Sequence, residues 1–389
     1  MERIVIIGSG QGGVQAAISL RQEGYAGRLT VIGAEPGLPY QRPPLSKAYL
    51  KTGDAEALRL RPETFFEKNE IELIDHVWVD RIDRDAHTVH SGDRTFPYDH
   101  LILATGTRNL RPPIKGAERA LDLRTLEDAA RLRAELDMPK RCAVIGGGFI
   151  GLEFAAVARA LGHTVTVAEA APRLMARVVS AETSQRFLAL HEGMGTTVHL
   201  GDPVVAVDAD GIALASGAHV EADLVLMAAG VVPNTELAAA AGLAVDNGIV
   251  VDATLLTADP AISALGDCCA FPDPATGGLV RLESVQAATD HARLIAKRLV
   301  KGADAPYAAV AWFWSDQADC KLQIAGLSCA ADDTVRRADG AVFRFAGERF
   351  SAVETVNDAK THMQARKKLA VAPIQRSELE AVGYDLAAL

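Results

Sequence analysis

Two glycine-rich stretches, each followed by an acidic residue, are the strongest chemical signal in this sequence of 389 residues. The first is Gly8-Ser-Gly10-Gln-Gly12-Gly13, and Glu35 follows twenty-two residues after Gly13. In such a G-x-G-x-x-G pattern the first two glycines let the backbone approach a pyrophosphate, which sits at the positive N-terminus of the next helix. The third glycine lets helix and strand pack closely, and the acid binds ribose hydroxyls. The stretch therefore predicts a dinucleotide site.

The pattern occurs a second time, as Gly146-Gly-Gly148-Phe-Ile-Gly151, and Glu169 follows eighteen residues after Gly151. A carboxylate at this place favours NADH over NADPH, because it accepts bonds from ribose hydroxyls and repels a 2′-phosphate. Arg173 and Arg177 are near it in the sequence and could weaken that preference. Two complete dinucleotide patterns in one chain indicate a flavin and a nicotinamide that are joined by hydride transfer.

Four single residues are candidates for contact with these cofactors, and each also has an ordinary structural interpretation. Glu153, in the first turn of the second helix, is either an exposed charge favoured by the helix dipole or a group that faces the nicotinamide. Asp267 ends a short strand and is either a turn residue or an acceptor for a polyol hydroxyl. Trp312 and Trp314 either pack in the core or cover a flavin ring, and we favour the flavin for Trp314.

The proline-rich segment 36–50 follows the first dinucleotide pattern directly. Its prolines argue against a helix in the first part, while Leu45 to Leu50 could begin a short one. Arg42 and Lys47 are either solvated charges or cations next to the phosphate site of the first pattern. We favour the second interpretation, because a pyrophosphate needs counter-charge and a stiff loop can hold it in place.

The elements that must position these residues are predicted from the apolar pattern. Residues 1–33 and about 141–170 each read as strand, glycine loop, amphipathic helix and strand. Leu101 to Gly106 is an apolar strand that ends in the small-residue turn Ala104-Thr105-Gly106, where backbone can pass close to a ligand, and Val225 to Gly230 repeats it. Strands are also expected at 77–82 and near 249–256, and a short surface helix at 238–241. The repetition of this strand and turn predicts two homologous α/β folds, the second inserted into the first. The change in composition after Pro306 predicts a third, α+β domain.

The cysteines indicate how electrons leave the flavin. The segment 36–50 contains no cysteine, and the chain has no C-x-x-C pair and no zinc spacing, so we expect neither a thiol relay nor a metal site. Cys268 and Cys269 are adjacent, and neighbouring cysteines seldom form a disulfide, so we interpret them as small buried fillers, with a redox role as a minor alternative. The electrons are therefore expected to pass directly to an external acceptor.

Composition narrows the class of protein. Hydrophobic residues make up 49% and charged residues 23%, which is ordinary for a globular protein, and the formal net charge of −10 argues against nucleic acid as a partner. No apolar run approaches the roughly 18 residues that span a bilayer. The first strand starts so early that it leaves no room for a signal peptide, and we expect a cytoplasmic protein.

Several motifs in combination resemble one family. They are Arg42-Pro-Pro-Leu-Ser-Lys47, Ile145 to Glu153, Ala264-Leu-Gly-Asp267, Glu283-Ser-Val-Gln286 and Trp312-Phe-Trp-Ser-Asp-Gln317. Together they resemble the NADH-dependent ferredoxin reductases of bacterial oxygenase systems, which serve Rieske-type aromatic-ring dioxygenases and cytochromes P450. The resemblance covers essentially the whole chain.

The resemblance implies a glutathione-reductase-like fold and a set of cofactor contacts. The implied domains are an FAD-binding domain at 1–110 and 236–311, an NAD-binding domain at 111–235 and a C-terminal interface domain at 312–389. The implied FAD contacts are Gly8, Gly10, Gly12, Gly13, Glu35, Arg42, Lys47, the Val79 backbone, Ala104, Thr105, Gly106, Arg124, Asp267, Val285 and Trp314. The implied NAD contacts are Gly146, Gly148, Phe149, Ile150, Gly151, Glu153, Glu169 and Gly230.

The resemblance also implies that the electron acceptor is a small [2Fe–2S] ferredoxin. Such ferredoxins are usually acidic, so this acidic chain needs a local basic face for docking. Its candidates, which equally fit a solvated basic surface, are Arg336, Arg337, Lys360, Arg366, Lys367 and Lys368.

Three alternatives stay open at this point. The chain could be a rubredoxin reductase or NADH oxidase of the same fold, although the missing cysteine counts against thiol-dependent oxidases. It could be a binding protein that senses NADH, as apoptosis-inducing factor does. The first site could also hold NAD with no flavin present, which the Arg42–Lys47 segment and Asp267 argue against. The oligomeric state, the ferredoxin and the terminal oxygenase stay open as well.

Overall fold

The computed structural model describes residues 1–389 as ten α-helices, twenty-five strands and a few short 3₁₀ turns. The helices are α1 (Gln11–Glu23), α2 (Ala48–Thr52), α3 (Glu63–Lys68), α4 (Leu126–Glu135), α5 (Phe149–Ala160), α6 (Ala181–Gly193), α7 (Glu236–Ala240), α8 (Val285–Lys301), α9 (Ala359–Leu369) and α10 (Arg376–Ala381). None of these helices is long and apolar enough to cross a membrane.

The strands divide into those before and those after the second glycine loop. The first group is β1 (Arg3–Ile7), β2 (Arg28–Ile32), β3 (Ile71–Ile74), β4 (Arg81–Asp83), β5 (Thr88–Ser91), β6 (Arg94–Pro97), β7 (His100–Leu103), β8 (Thr107–Asn109) and β9 (Arg141–Ile145). The second group is β10 (Thr164–Glu169), β11 (Thr197–Leu200), β12 (Val204–Val207), β13 (Gly211–Leu214), β14 (His219–Glu221), β15 (Leu224–Met227), β16 (Val231–Pro233), β17 (Ile249–Val250), β18 (Ile262–Ala264), β19 (Cys269–Pro272), β20 (Leu279–Val280), β21 (Trp312–Gln317), β22 (Cys320–Gly326), β23 (Asp333–Arg336), β24 (Val342–Ala346) and β25 (Arg349–Val356).

The chain forms two compact units. The first unit contains Met1–Gln41, Glu56–Arg108 and Val232–Ala309, and the second contains Arg42–Ala55, Asn109–Val231 and Val310–Leu389. The division into an FAD, an NAD and an interface domain stays a prediction.

The first unit is built on a parallel sheet in the order β18-β7-β1-β2-β3. Its central strands are nearly continuous apolar runs, because helices cover both faces of a sheet of this kind. Ile4, Ile6, Leu101 and Ile102 are fully buried. Helices α1 and α8 pack against each other along this sheet, and this packing holds their N-termini near each other.

The second unit contains one parallel sheet and two antiparallel sheets, the smaller of which has the order β12-β13-β14. A four-stranded parallel sheet in the order β11-β10-β9-β15 carries α5, and it repeats the strand–loop–helix arrangement of the first unit. The larger antiparallel sheet has the order β21-β22-β25-β24-β23 and packs against α9. Phe343, Phe345 and Phe350 form the core of this C-terminal part.

The local predictions fail in several places for identifiable reasons. Residues Pro43–Ser46 form a 3₁₀ turn in the part of segment 36–50 where the prolines argued against a helix, because proline is tolerated at the first helical positions. The short helix that Leu45 to Leu50 could begin is Ala48–Thr52. The strands expected at 77–82 and 249–256 shrink to Arg81–Asp83 and Ile249–Val250. The expected surface helix at 238–241 is Glu236–Ala240, and Ala238 in its centre is buried against the core. Elements that were not predicted are Trp312–Gln317, Asp333–Arg336 and Arg376–Ala381.

A buried ion pair stabilises the second unit. Glu354 accepts a 2.8 Å hydrogen bond from Arg344 Nη1, and Ser180 donates to it from its backbone N–H (2.8 Å) and its hydroxyl (2.6 Å). The side chains of Arg344 and Glu354 are only 4% and 1% exposed. Removing one charge would leave the other buried without a counter-ion, which is strongly destabilising.

We therefore expect Glu354→Gln to lower the free energy of unfolding by about 3 kcal/mol. Urea denaturation followed by far-UV circular dichroism measures the change. The matched control is Glu348→Gln, since Glu348 is exposed and its loss should change stability by less than about 0.5 kcal/mol. Equal effects of the two substitutions would contradict the role given to the pair.

Candidate cofactor sites

The first glycine loop needs glycine for two separate reasons. Gly8 has a φ of +112°, and a Cβ there would overlap the carbonyl oxygen of Ala104. A Cβ on Gly13 would overlap the carbonyl oxygen of Gly8, so the third glycine lets α1 pack closely on the strand and loop that precede it. Gly13 is therefore required by the fold of the loop itself, and Gly8 by the close approach of the turn that follows β7.

The second glycine loop repeats this geometry. Gly146 has a φ of +111°, and its Cβ would overlap the carbonyl oxygen of Ala228. A Cβ on Gly151 would overlap the carbonyl oxygen of Gly146. The prediction that the third glycine of each copy permits close packing is confirmed.

The middle glycine of each loop is different, because the protein itself leaves space around it. Gly10 and Gly148 are the N-caps of α1 and α5, both with extended backbone and no side-chain capping bond. A Cβ at either position would meet nothing within 4 Å. The uncapped N–H groups and positive dipole end of a helix are a site for an anion, so the residues at both helix starts fit a bound pyrophosphate.

Other predicted residues of the first unit lie around the start of α1. Leu265 would contact a Cβ on Gly12, and Gly266 lies against Ala288 in the first turn of α8. The Gly266–Asp267 turn and the start of α8 at Val285 therefore lie beside the first glycine loop. The Asp267 carboxylate accepts a long 3.4 Å bond from Thr107 Oγ1.

The Ala104–Gly106 turn is held by a residue that the sequence analysis did not single out. Thr105 Oγ1 donates to the Asn234 carbonyl at 2.7 Å, and Asn234 Nδ2 donates back to the Thr105 carbonyl at 2.8 Å. Asn234 N–H also donates to the Gly106 carbonyl at 2.9 Å. The only sequence signal for Asn234 was its place just after the repeated strand and turn.

Glu35 and Val79 complete the predicted set in the first unit. Tyr40 Oη donates a hydrogen bond to the Glu35 carboxylate. His76 N–H donates to the Glu35 backbone carbonyl at 3.2 Å, which brings the segment leading to Val79 alongside it. Val79 is buried, and the contact of its backbone with FAD stays a prediction.

Glu169 ends β10 directly beside the second glycine loop. Its carboxylate accepts hydrogen bonds from Gly147 N–H at 2.6 Å and from Ala171 N–H at 2.7 Å. Arg173 donates to the carbonyls of Val179 (2.7 Å) and Ala176 (2.8 Å), so its guanidinium is engaged by its own loop. The carboxylate is therefore the nearer charge at the loop, which supports the expected preference for NADH.

We expect Glu169→Ala to lower the NADH-to-NADPH ratio of kcat/KM about tenfold, because it removes the ribose acceptor and the repulsion of a 2′-phosphate. Steady-state kinetics with both nucleotides measures the ratio. The content of bound flavin serves as the internal control, because Glu169 belongs to the second loop. An unchanged ratio would show that Glu169 does not contact the ribose.

Lys47 has a partner that the sequence analysis did not foresee. Its Nζ lies 2.9 Å from Glu153 Oε1, and the Lys47 and Glu153 side chains are 21% and 3% exposed. Ser46 Oγ donates to Glu153 Oε2 at 2.5 Å. The ammonium is thus paired with a carboxylate of α5, and its expected role as a phosphate counter-charge stays a prediction.

The same contacts rule out one of the two interpretations of Glu153, and its position facing the nicotinamide stays a prediction. Its burial excludes an exposed helix charge, so that alternative is wrong. The other cation of the segment, Arg42, donates from Nη1 to the Arg124 carbonyl at 2.7 Å, which brings these two predicted FAD residues together. Their contact with FAD stays a prediction.

The aromatic residues of β21 lie beside the predicted NAD residues of α5. Phe149 packs on Phe313 with 4.6 Å between ring centroids. Trp314 is half-buried, and its ring centroid lies 5.6 Å from that of Trp312. The guanidinium carbon of Arg366 lies 4.4 Å from the centroid of the Trp312 ring. Two further predicted NAD residues leave room for a ligand: the Ile150 side chain is 43% exposed, and a Cβ on Gly230 would meet nothing within 4 Å.

The basic residues proposed for docking are not equivalent. Arg337 is bound within its own domain, because its guanidinium pairs with Asp339 and Asp358 and donates to the Tyr384 carbonyl. It is therefore removed from the candidate docking residues. Exposed positions are Arg336, Lys360 and Lys367, while Arg366, Lys367 and Lys368 lie in the last turn of α9, where they also stabilise the helix dipole.

The cysteines are free and those next to Asp267 are inert. Cys268 and Cys269 are fully buried, and burial raises the pKa of both thiols above the ordinary value. A thiol held neutral in an apolar site is a poor nucleophile and a poor electron carrier. Their interpretation as buried fillers is confirmed as far as burial is concerned.

Comparison with known proteins finds relatives along the whole chain. A family model described as pyridine nucleotide-disulphide oxidoreductase matches residues 2–292, and one described as reductase C-terminal matches residues 312–389. Rhodocoxin reductase of Rhodococcus erythropolis is 48% identical, and the match covers 98% of this chain and 93% of that protein.

Solved structures give the same picture. The ferredoxin reductase for the CYP199A2 system from Rhodopseudomonas palustris matches with a TM-score of 0.95 and 44% identity, covering 99% of this chain and 98% of that chain. A chain of the covalent putidaredoxin reductase–putidaredoxin complex matches with a TM-score of 0.94 and 37% identity, covering 100% of this chain and 98% of that chain. The expected fold class is confirmed by these matches.

Proposed function

The chain belongs to the pyridine nucleotide-disulphide oxidoreductase family, and within it we propose an NADH-dependent flavoprotein that passes electrons singly to a [2Fe–2S] ferredoxin. Two open glycine loops in a chain without a thiol relay are the observation that carries this proposal. Relatives named ferredoxin reductases, matched over nearly the whole chain, support it. The ferredoxin in turn feeds an oxygenase, as in the p-cumate and anthranilate dioxygenase systems that name two relatives.

FAD and NADH are the cofactors, and each is assigned to one glycine loop. FAD, when bound, supplies a group that accepts a hydride and releases single electrons. We assign it to the first loop, because the Gly266–Asp267 turn and Glu35 provide acceptors for polyol and ribose hydroxyls beside that loop. NADH is assigned to the second loop, where Glu169 lies beside Gly147.

The chain's own residues bind and orient rather than perform acid–base chemistry. The helix N-termini of α1 and α5 bind pyrophosphates, and the acids at Glu35 and Glu169 orient the adenosine halves. Phe149 and Glu153 lie in the first turns of α5, and together with Lys47, which pairs with Glu153, they orient the nicotinamide end. Catalysis by such a site consists mostly of positioning two reactants.

The rivals of this proposal are less well supported. The buried thiols and the cysteine-free segment 36–50 count against a thiol-dependent oxidase. Relatives named for putidaredoxin and ferredoxin count in favour of an iron–sulfur acceptor over rubredoxin or a sensor role. A cytoplasmic setting is part of the proposal, and the five free cysteines support a reducing compartment.

The absorbance spectrum of the purified protein tests the proposal. We expect a yellow protein whose flavin absorbance is bleached by anaerobic NADH, and fast reduction of cytochrome c only when a [2Fe–2S] ferredoxin is added. Treatment with iodoacetamide should leave this turnover unchanged, because no thiol carries electrons. A colourless protein would overturn the flavin assignment, and bleaching without ferredoxin-dependent turnover would overturn the acceptor.

A further inference from the structure

Strand β21 presents two chemically different faces. Side chains alternate along a strand, so Trp312, Trp314 and Asp316 share one face, and Phe313, Ser315 and Gln317 share the other. Ser315 and Gln317 are completely buried, and Phe313 packs on Phe149 of α5. A strand of the C-terminal sheet therefore presents two buried polar residues to the helix that carries Glu153.

These two residues belong to a continuous chain of hydrogen bonds that ends at Glu153. His191 Nε2 lies 2.9 Å from Gln317 Oε1, Gln317 Nε2 donates to Ser315 Oγ at 3.2 Å, and Ser315 Oγ donates to Glu153 Oε1 at 2.7 Å. The second hydrogen of the Gln317 amide points to Met175 Sδ at 3.7 Å. Every polar group of the Gln317 side chain is thus used.

The hydrogen bonds of this network all donate in one direction, from His191 toward Glu153. Ser315 has one hydroxyl hydrogen, and because Gln317 donates to its oxygen, that hydrogen is available for Glu153. The Gln317 amide is oriented with its carbonyl oxygen toward His191 Nε2 and its NH₂ toward Ser315, and His191 Nδ1 is buried without a partner. Burial lowers the pKa of His191, which favours the neutral ring, and an N–H on Nε2 is the tautomer that matches the Gln317 carbonyl oxygen.

Burying such a hydrogen-bond chain costs desolvation free energy, which suggests that its polar residues have a role other than filling space. Three polar side chains from α6 and β21 lose their hydration, and apolar residues of the same size would pack there without that loss. Their common end point is a carboxylate that also holds Lys47. Lys47 and Ser315 contact the same oxygen, Glu153 Oε1, so a hydrogen bond from Ser315 that holds this oxygen in place also sets the geometry of the ion pair.

We propose that His191, Gln317 and Ser315 are positioning residues that orient the Glu153 carboxylate toward Lys47 for hydride transfer. This inference rests on the proposed function, because it assigns a purpose to the pair within that reaction. None of the three residues touches a cofactor in this proposal, and each acts through Glu153.

Gln317→Glu is the sharpest test, because it keeps the size of the side chain and the acceptor for His191. A carboxylate at this position cannot donate to Ser315 and instead accepts its hydroxyl hydrogen, which reverses the chain and removes the bond to Glu153. We expect the limiting rate of flavin reduction by NADH, measured by anaerobic stopped flow, to fall about tenfold, as for loss of one hydrogen bond to a charged group. The flavin content of the purified variant should not change.

Rescue at His191 separates positioning from packing. His191→Leu removes the donor to Gln317 and is expected to slow flavin reduction, while His191→Gln supplies an N–H at a similar reach and should restore most of the rate. Thr355→Val is the matched control: it deletes a buried hydroxyl that donates to the Gln323 carbonyl at 3.1 Å in the same sheet, outside the chain. Its rate should equal that of the wild type.

The outcomes distinguish this inference from the proposed function. If wild-type protein is not reduced by NADH, the proposed function fails. If it is reduced and Gln317→Glu is reduced equally fast, or if Thr355→Val slows the reaction as much, the positioning role is overturned. Equal rates for His191→Leu and His191→Gln would overturn it as well.

Discussion

Replacing Glu153 with glutamine is expected to slow the reduction of bound flavin by NADH about 100-fold, the loss that follows when a reacting group is misplaced by about an ångström. The carboxylate accepts from Ser46, Ser315 and Lys47, and glutamine offers only one acceptor oxygen to these three donors. Lys47 would lose its counter-ion, and Ser46 and Ser315 would lose the common acceptor that holds them together. Anaerobic stopped-flow absorbance measures the rate.

A double-mutant cycle makes this prediction specific. If Lys47 and Glu153 act as one unit, Lys47→Met combined with Glu153→Gln should be no slower than the slower single variant. Glu127→Gln is the matched control, since Glu127 lies in the first turn of α4 and is exposed. Additive losses in the double variant, or a wild-type rate for Glu153→Gln, would show that the pair does not assist hydride transfer.

Valine at the two middle glycines is expected to remove the two cofactors one at a time. At Gly10 and Gly148 the backbone is extended and the protein leaves the Cβ position open, so a side chain fits the protein but fills the space for pyrophosphate. Gly10→Val should purify without flavin. Gly148→Val should stay yellow but need about 100-fold more NADH for half-maximal bleaching, equal to ~2.7 kcal/mol of binding free energy.

The flavin-to-protein absorbance ratio and an NADH titration measure both effects. Gly146→Ala is the contrasting variant, because its Cβ would overlap the Ala228 carbonyl and its φ of +111° suits only glycine, so we expect lost stability there rather than selective loss of a nucleotide. Loss of flavin from Gly148→Val with full flavin in Gly10→Val would reverse the assignment of the two loops.

Much of the fold could be predicted because its signals are local. A strand, a glycine loop and a helix follow each other within about thirty residues, and the third glycine of each loop is required by its contact with the first glycine of the same loop. The same holds for the long amphipathic helix α8 and for the apolar parallel strands. Local patterns failed where tertiary packing decides the outcome, as for the expected strand at 77–82 and the buried Ala238.

Residue types and short spacings were enough to predict that two dinucleotides bind, which acid follows each loop and that no thiol relay is available. The pairing of Lys47 with Glu153, and the hydrogen bonds that lead from His191 through Gln317 and Ser315 to the same carboxylate, became visible only in the folded structure. These partners are more than 100 residues apart in the chain. Sequence periodicity does not reach over that distance, because the contacts between such groups depend on how separate sheets and helices pack. Burial then leaves a charged group with only the partners that this packing brings to it.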